Sequence, residues 1–156
     1  MVKQNDIDAI DRKILNVLQA RADISHAELA ELVGASSASC WRRIKAMETS
    51  GILGSTVRLV DPETVGRGLN AFCQVRMKTH DPVVRRDFER FCESHNEILE
   101  CYSMSGEWDY LLRVLVADVS SYERLLMQGI LTHHGVASSS SHFALKAVKY
   151  TTSIPV

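Results

Sequence analysis

No apolar run in this sequence approaches the roughly 20 residues needed to cross a bilayer, so no helical membrane span is expected. No Cys-x-x-Cys pair occurs. The four cysteines, Cys40, Cys73, Cys92 and Cys101, match no zinc spacing and read as buried free thiols of a reducing cytosol. Neither a metal nor a cofactor is therefore expected. There is no Ser-His-Asp order, no nucleophile elbow and no phosphate loop. The opening stretch, Met1 to Asp11, is polar and acidic, so no signal peptide is expected and the reading is cytoplasmic. An excess of one charge is lacking too: the net charge is −1, which does not advertise a nucleic-acid protein.

What is present is an ordinary soluble composition, 46% apolar and 24% charged, over 156 residues, enough for two small domains. Charge distribution is more telling than its sum. Between Ser36 and Arg58 the bases Arg42, Arg43, Lys45 and Arg58 face one acid, Glu48, a local balance of 4 − 1 = +3.

Ile7, Ile10, Ile14, Leu15 and Leu18 recur at helical spacing, with Asp6 or Asp8 as cap and an end near residues 20–22. Ser25 and Glu28, three apart, form a capping box for a second helix from His26 to Val33, and Gly34 ends it at positive φ. Ser36 or Ser37 caps a third helix running to about Ser50, whose buried stripe is Cys40, Ile44 and Met47. Two helices joined by a short glycine turn, the second basic and serine-rich outside, describe a helix-turn-helix. The alternative is a small three-helix bundle with a solvated basic face. As a DNA reader, Arg42 and Arg43 would meet phosphates or guanine edges, with Ser37, Ser39 and Lys45 beside them. Trp41 reads as a core or hinge aromatic. Ser55 to Val60 alternates as a strand that would form a wing.

Residues 61–69 are a turn-rich linker. Beyond it come a strand over 70–78, a helix opened by Asp81-Pro82, strands over 98–105 and 108–116 about the turn Gly106-Glu107, a helix capped by Ser120 or Ser121 and ended by Gly135, and a last strand over 140–151. Strand, helix, strand, strand, helix, strand is the ferredoxin-like order. The fold class is α+β: a winged helix-turn-helix over residues 1–60, then a ferredoxin-like domain over 70–156. Both helices must cover one sheet face. Leu111-Leu112-Arg113-Val114-Leu115-Val116 is apolar on both faces apart from Arg113, so a second copy is expected to cover the other face as a homodimer.

Over nearly the whole chain these motifs resemble the Lrp/AsnC, or feast/famine, family of transcriptional regulators. The likeness runs through Asp11-Arg12-Lys13-Ile14-Leu15, Ala30-Glu31-Leu32-Val33-Gly34, Ser39-Cys40-Trp41-Arg42-Arg43-Ile44 and Gly51-Ile52-Leu53. It continues in Glu100-Cys101-Tyr102, Ser105-Gly106-Glu107-Trp108-Asp109-Tyr110-Leu111-Leu112-Arg113-Val114 and Gly135-Val136. The last segment is closest to members that answer to cysteine or branched-chain amino acids. The turn departs from the family pattern: Gly34-Ala35-Ser36 replaces Gly-Leu-Ser, and no proline follows.

The resemblance implies a double-stranded DNA operator, dimers assembling to a tetramer or octamer, and an amino-acid effector in a cleft between dimers. By position, Tyr102, Met104, Ser105, Gly106 and Asp109 would line that cleft, faced by Ser139 and Ser141. The chemistry suits a zwitterion: Asp109 for its ammonium, and turn N–H groups and hydroxyls for its carboxylate. Two other readings compete: a haem-pathway decarboxylase of the same two-domain plan using His133, His134 and His142, and a metal sensor using Cys101 with those histidines.

Overall fold

The computed structural model describes residues 7–156. The chain divides into two units. One reaches to Arg58 and takes back Lys149–Val156; the other is Leu59–Val148.

In the first unit α1 (Ala9–Ala20) starts at Asp8, whose carboxylate accepts the N–H groups of Ile10 and Asp11, while Asp11 reaches back to the N–H of Asp8. Asp6, the other expected cap, lies outside the described residues. Ser25 and Glu28 close the expected capping box on α2 (His26–Val33). Gly34 then turns the chain at φ +72°, where an L side chain would be strained. Ser36 caps α3 (Ser37–Thr49) through the N–H of Ser39. Ile14, Leu29, Val33, Cys40 and Met47 form the core between the three helices.

One expectation fails here. Residues 54–61 form no strand, so the helix-turn-helix has no wing among the described residues. In packing, residues 149–156 fall with the helical unit: Gln19 Oε1 accepts the Ile154 N–H at 2.6 Å and Gln19 Nε2 donates to the Ile154 carbonyl at 3.1 Å. One amide side chain thus satisfies both backbone groups of an exposed tail residue.

The second unit is β1 (Leu69–Met77), α4 (Pro82–Ser94), β2 (Ile98–Ser103), β3 (Tyr110–Val116), α5 (Val119–Gln128), a single 3₁₀ turn and β4 (Val136–Phe143). The sheet is antiparallel in the order β2-β3-β1-β4, as the ferredoxin-like order requires. Asp118, rather than Ser120 or Ser121, caps α5, which ends at Gly129 rather than Gly135. β4 begins and ends earlier than the pattern implied.

Alternation along the central strands fixes the two faces. Ala71, Cys73, Val75 and Met77 of β1, with Tyr110, Leu112, Val114 and Val116 of β3, are buried against Phe88 and Cys92 of α4 and Tyr122 of α5. Both helices therefore lie on one face. The other carries Phe72, Gln74, Leu111, Arg113 and Leu115, with Arg113 paired to Glu100 at 2.7 Å.

Candidate functional site

The first candidate surface is the outer row of α3. Ser37, Trp41, Arg42 and Lys45 stand on it, and Trp41 is 53% exposed. Arg42 engages no acid among the described residues, whereas Lys45 pairs with Glu48 at 2.7 Å. The open N-terminal turn at Ser37 and a row of side chains one turn apart suit insertion into a major groove.

Two expectations change. Arg43 does not point outward: its Nη1 lies 2.7 Å from Asp8 and 2.8 Å from Asp11, and its side chain is only 25% exposed. It ties α3 to the start of α1, and the Asp11 N–H with this guanidinium holds the Asp8 carboxyl below its usual range. Trp41, expected as a core or hinge aromatic, is instead on the outer row. Ser39 is half-buried, its N–H already bound by Ser36.

The second candidate surface is the hairpin joining β2 to β3. Gly106 takes φ +111° with nothing near its missing side chain, a position that strain reserves for glycine. The Met104 N–H bonds the Asp109 carbonyl at 2.8 Å, and the Asp109 N–H bonds the Val75 carbonyl at 2.9 Å. Asp109 also accepts the Met77 N–H at 2.7 Å through Oδ2 and lies 3.5 Å from His80 through Oδ1. Arg76 pairs with Glu107 and stacks on the Trp108 ring at 5.1 Å. The tip is therefore held from β1, leaving Tyr102, Met104 and Ser105 exposed beside it. Gathered at one hairpin are a carboxylate, a glycine turn and two large apolar side chains.

Ser139 and Ser141 do not join them. They pair with Val75 and Cys73, so they share the face covered by helices, and the Ser141 hydroxyl bonds that of Tyr122. The hydroxyls on the other face are those of Ser138, opposite Arg76, and Ser140, opposite Gln74. A run of four serines carries no apolar contrast from which this register could be read.

The histidines do not gather as the metal-sensor reading required. Cys101 lies on β2 and His142 on β4, at opposite edges of the sheet. Instead His133 Nε2 and His134 Nδ1 approach Asp87 Oδ2 at 3.2 and 3.7 Å. His133 Nδ1 accepts the Gly135 N–H at 3.1 Å, which leaves the ring proton on Nε2, facing Asp87. A metal at Nε2 would force that proton onto Nδ1, against the Gly135 donor, so the cluster is a histidine–carboxylate contact.

Burial, then His134, pushes the His133 pKa below 6.5. Its imidazole is 8% exposed and packs edge-on to Phe88 and Phe91. In the unfolded chain this histidine takes up a proton at higher pH than in the folded one. Stability is therefore fully present above pH 6.5 and falls as pH drops below it. Thermal melts should show Tm declining as pH drops below about 6.5, before carboxylates begin to protonate, and His133→Gln should flatten that decline. An unchanged slope in the variant would refute the assignment.

A helix-turn-helix with an open basic row, linked to a ferredoxin-like unit presenting a zwitterion-suited hairpin, defines a DNA-binding transcriptional regulator with a separate ligand-binding domain. Residues 7–48 match the AsnC-type helix-turn-helix domain and residues 70–154 the Lrp/AsnC ligand binding domain. The chain belongs to the Lrp/AsnC family. It is 38% identical to the DNA-binding transcriptional activator DecR of Escherichia coli, over 96% of this chain and 99% of that one. It is 32% identical to the leucine-responsive regulatory protein of the same species, over 97% and 92%. A crystal structure of a Neisseria meningitidis transcriptional regulator in complex with L-Met superimposes with a TM-score of 0.90 at 38% identity, covering 95% of this chain and 96% of that one.

Proposed function

We propose that this protein binds double-stranded operators through the outer row of α3 and changes its assembly or DNA affinity when a small amino acid occupies the β2–β3 hairpin. The observation carrying the effector half is the hairpin's chemistry: Asp109 and the Gly106 turn held together, flanked by exposed Tyr102 and Met104. Ser105 belongs to this set, and Ser138 and Ser140 replace Ser139 and Ser141 as its hydroxyl donors. The apolar pair favours cysteine, methionine or a branched aliphatic over a charged amino acid. The likeness to a regulator crystallised with L-Met supports that class. A thermal-shift panel of the twenty amino acids tests it, since a ligand of the folded state raises Tm. The expected hits are apolar or sulfur-containing; a flat panel would contradict the reading.

The reading includes no catalysis and a cytoplasmic location; no helix among the described residues is long and apolar enough to cross a membrane. It also includes a homodimer packed sheet against sheet, assembling further to a tetramer or octamer. Phe72, Leu111 and Leu115 on the face without helices give that dimer its apolar centre. Leu115→Asp should dissociate it, because a carboxylate would be buried without a partner. Light scattering should report a dimer or larger for the parent and a smaller species for a variant that keeps its circular dichroism. A parent mass of 17.4 kDa at micromolar concentration would overturn the dimer.

A further inference from the structure

Three of the four cysteines belong to the ferredoxin-like unit, and two of them meet. Cys101 on β2 pairs with Leu112, which is fully buried under the helices, so its side chain shares the helix-facing row of the sheet. Cys92, in the last turn of α4, points down onto that row and is 4% exposed. With α4 packed on β2 the two thiols are neighbours, each the largest influence on the other's pKa, while Cys101, on the edge strand, stays open to solvent. The remaining thiols are differently placed. Cys40 is fully buried in the other unit, and Cys73 is fully buried beside Tyr122, Ser139 and Ser141.

We propose that Cys92 and Cys101 are an oxidation site, converted by a hydroperoxide to a reversible disulfide that joins α4 to the edge strand. The assignment of roles follows from accessibility. Cys101 is the thiol a small oxidant can reach. The neighbouring Cys92 thiol holds its pKa below the usual thiol range, against the opposing effects of burial and the Glu89 and Glu93 carboxylates. The Cys101 partner and burial push the Cys92 thiol up, so it keeps its proton and acts second.

In the first step the Cys101 thiolate attacks a peroxide oxygen. An S–O bond forms, the O–O bond breaks, and the leaving oxygen takes up a proton to become water or an alcohol. In the second step the Cys92 sulfur attacks the Cys101 sulfenic acid. The S–S bond forms, the S–O bond breaks, and the hydroxyl leaves as water with the Cys92 proton. Two thiols lose two electrons in all and one peroxide gains them. A thiol reductant reverses the step by exchange. The bond would close one residue before Tyr102, at the root of the hairpin.

The test uses the full chain treated with hydrogen peroxide, then unfolded and alkylated, with mass spectrometry of the intact protein and its peptides. Two alkylatable thiols should remain of four, Cys40 and Cys73, with Cys92 and Cys101 recovered as one linked peptide within a single chain. Dithiothreitol should restore four. Cys101→Ala, at an exposed site, should keep the parent Tm and form no disulfide. Cys92→Ala should leave Cys101 as a sulfenic acid trappable by dimedone. Four remaining thiols after peroxide, a cross-link between chains, or a disulfide persisting in Cys101→Ala would each overturn the proposal.

Discussion

Arg42→Ala is expected to weaken operator binding by about 1–3 kcal/mol, roughly 5- to 150-fold, if the guanidinium reads a base. If it meets a phosphate instead, affinity should fall evenly across sequences and the salt slope should shrink by about one unit. Arg43→Ala is expected to act differently. Its guanidinium bridges Asp8 and Asp11, so removing it unties α3 from the start of α1 and should lower Tm. Any loss of DNA binding should then track the loss of folded helical unit. Gel-shift titrations of both variants beside their thermal melts separate the two roles. Normal stability with lost operator binding in Arg43→Ala would return that residue to the DNA face.

The second large effect concerns Asp109. Its carboxylate has two tasks in the proposed reading: it accepts the Met77 N–H and offers a negative charge to an ammonium. Asp109→Ala removes both. Asp109→Asn keeps an acceptor for Met77 and removes only the charge. A hydrogen bond to a charged group contributes about 1.5–3 kcal/mol, so the Asn variant should bind its amino acid roughly 10- to 150-fold more weakly by calorimetry. Its Tm without ligand should match the parent. If Asn binds as the parent does and only Ala fails, Asp109 positions the hairpin and the ammonium has another partner.

The helices were legible because local signals agreed. Ser25 with Glu28 and the glycine turn at Gly34 set the helix-turn-helix boundaries, and the sheet order followed from strand–helix alternation. The inward turn of Arg43 has a signal in the sequence. At about 100° per residue it lies about 60° from Cys40 and 40° from Met47, beside the buried stripe rather than opposite it, with two acids near the start of α1 to receive it. Trp41 stands outside although its ring suggests a core or hinge position, because apolar residues lying inside is a one-way rule.

The wing failed for a different reason. Alternation in Ser55 to Val60 shows that a segment can pair, but a strand needs a partner edge, and none of this chain's described residues supplies one. The direction of Ser138 to Ser141 was illegible, because only the ladder to β1 distinguishes one serine from the next. The meeting of Cys92 with Cys101 likewise depends on α4 crossing β2, a tertiary contact that spacing does not encode.

In the proposed function, one chain reads DNA and is retuned by an amino acid. The direct measurement is an anisotropy titration of the full chain onto genomic fragments that it enriches, with and without the amino acid that raises its Tm most. The expected result is saturable binding that weakens steeply with salt and a midpoint or cooperativity that moves on adding the ligand. Identical curves with and without the ligand, at concentrations that saturate the thermal shift, would contradict it.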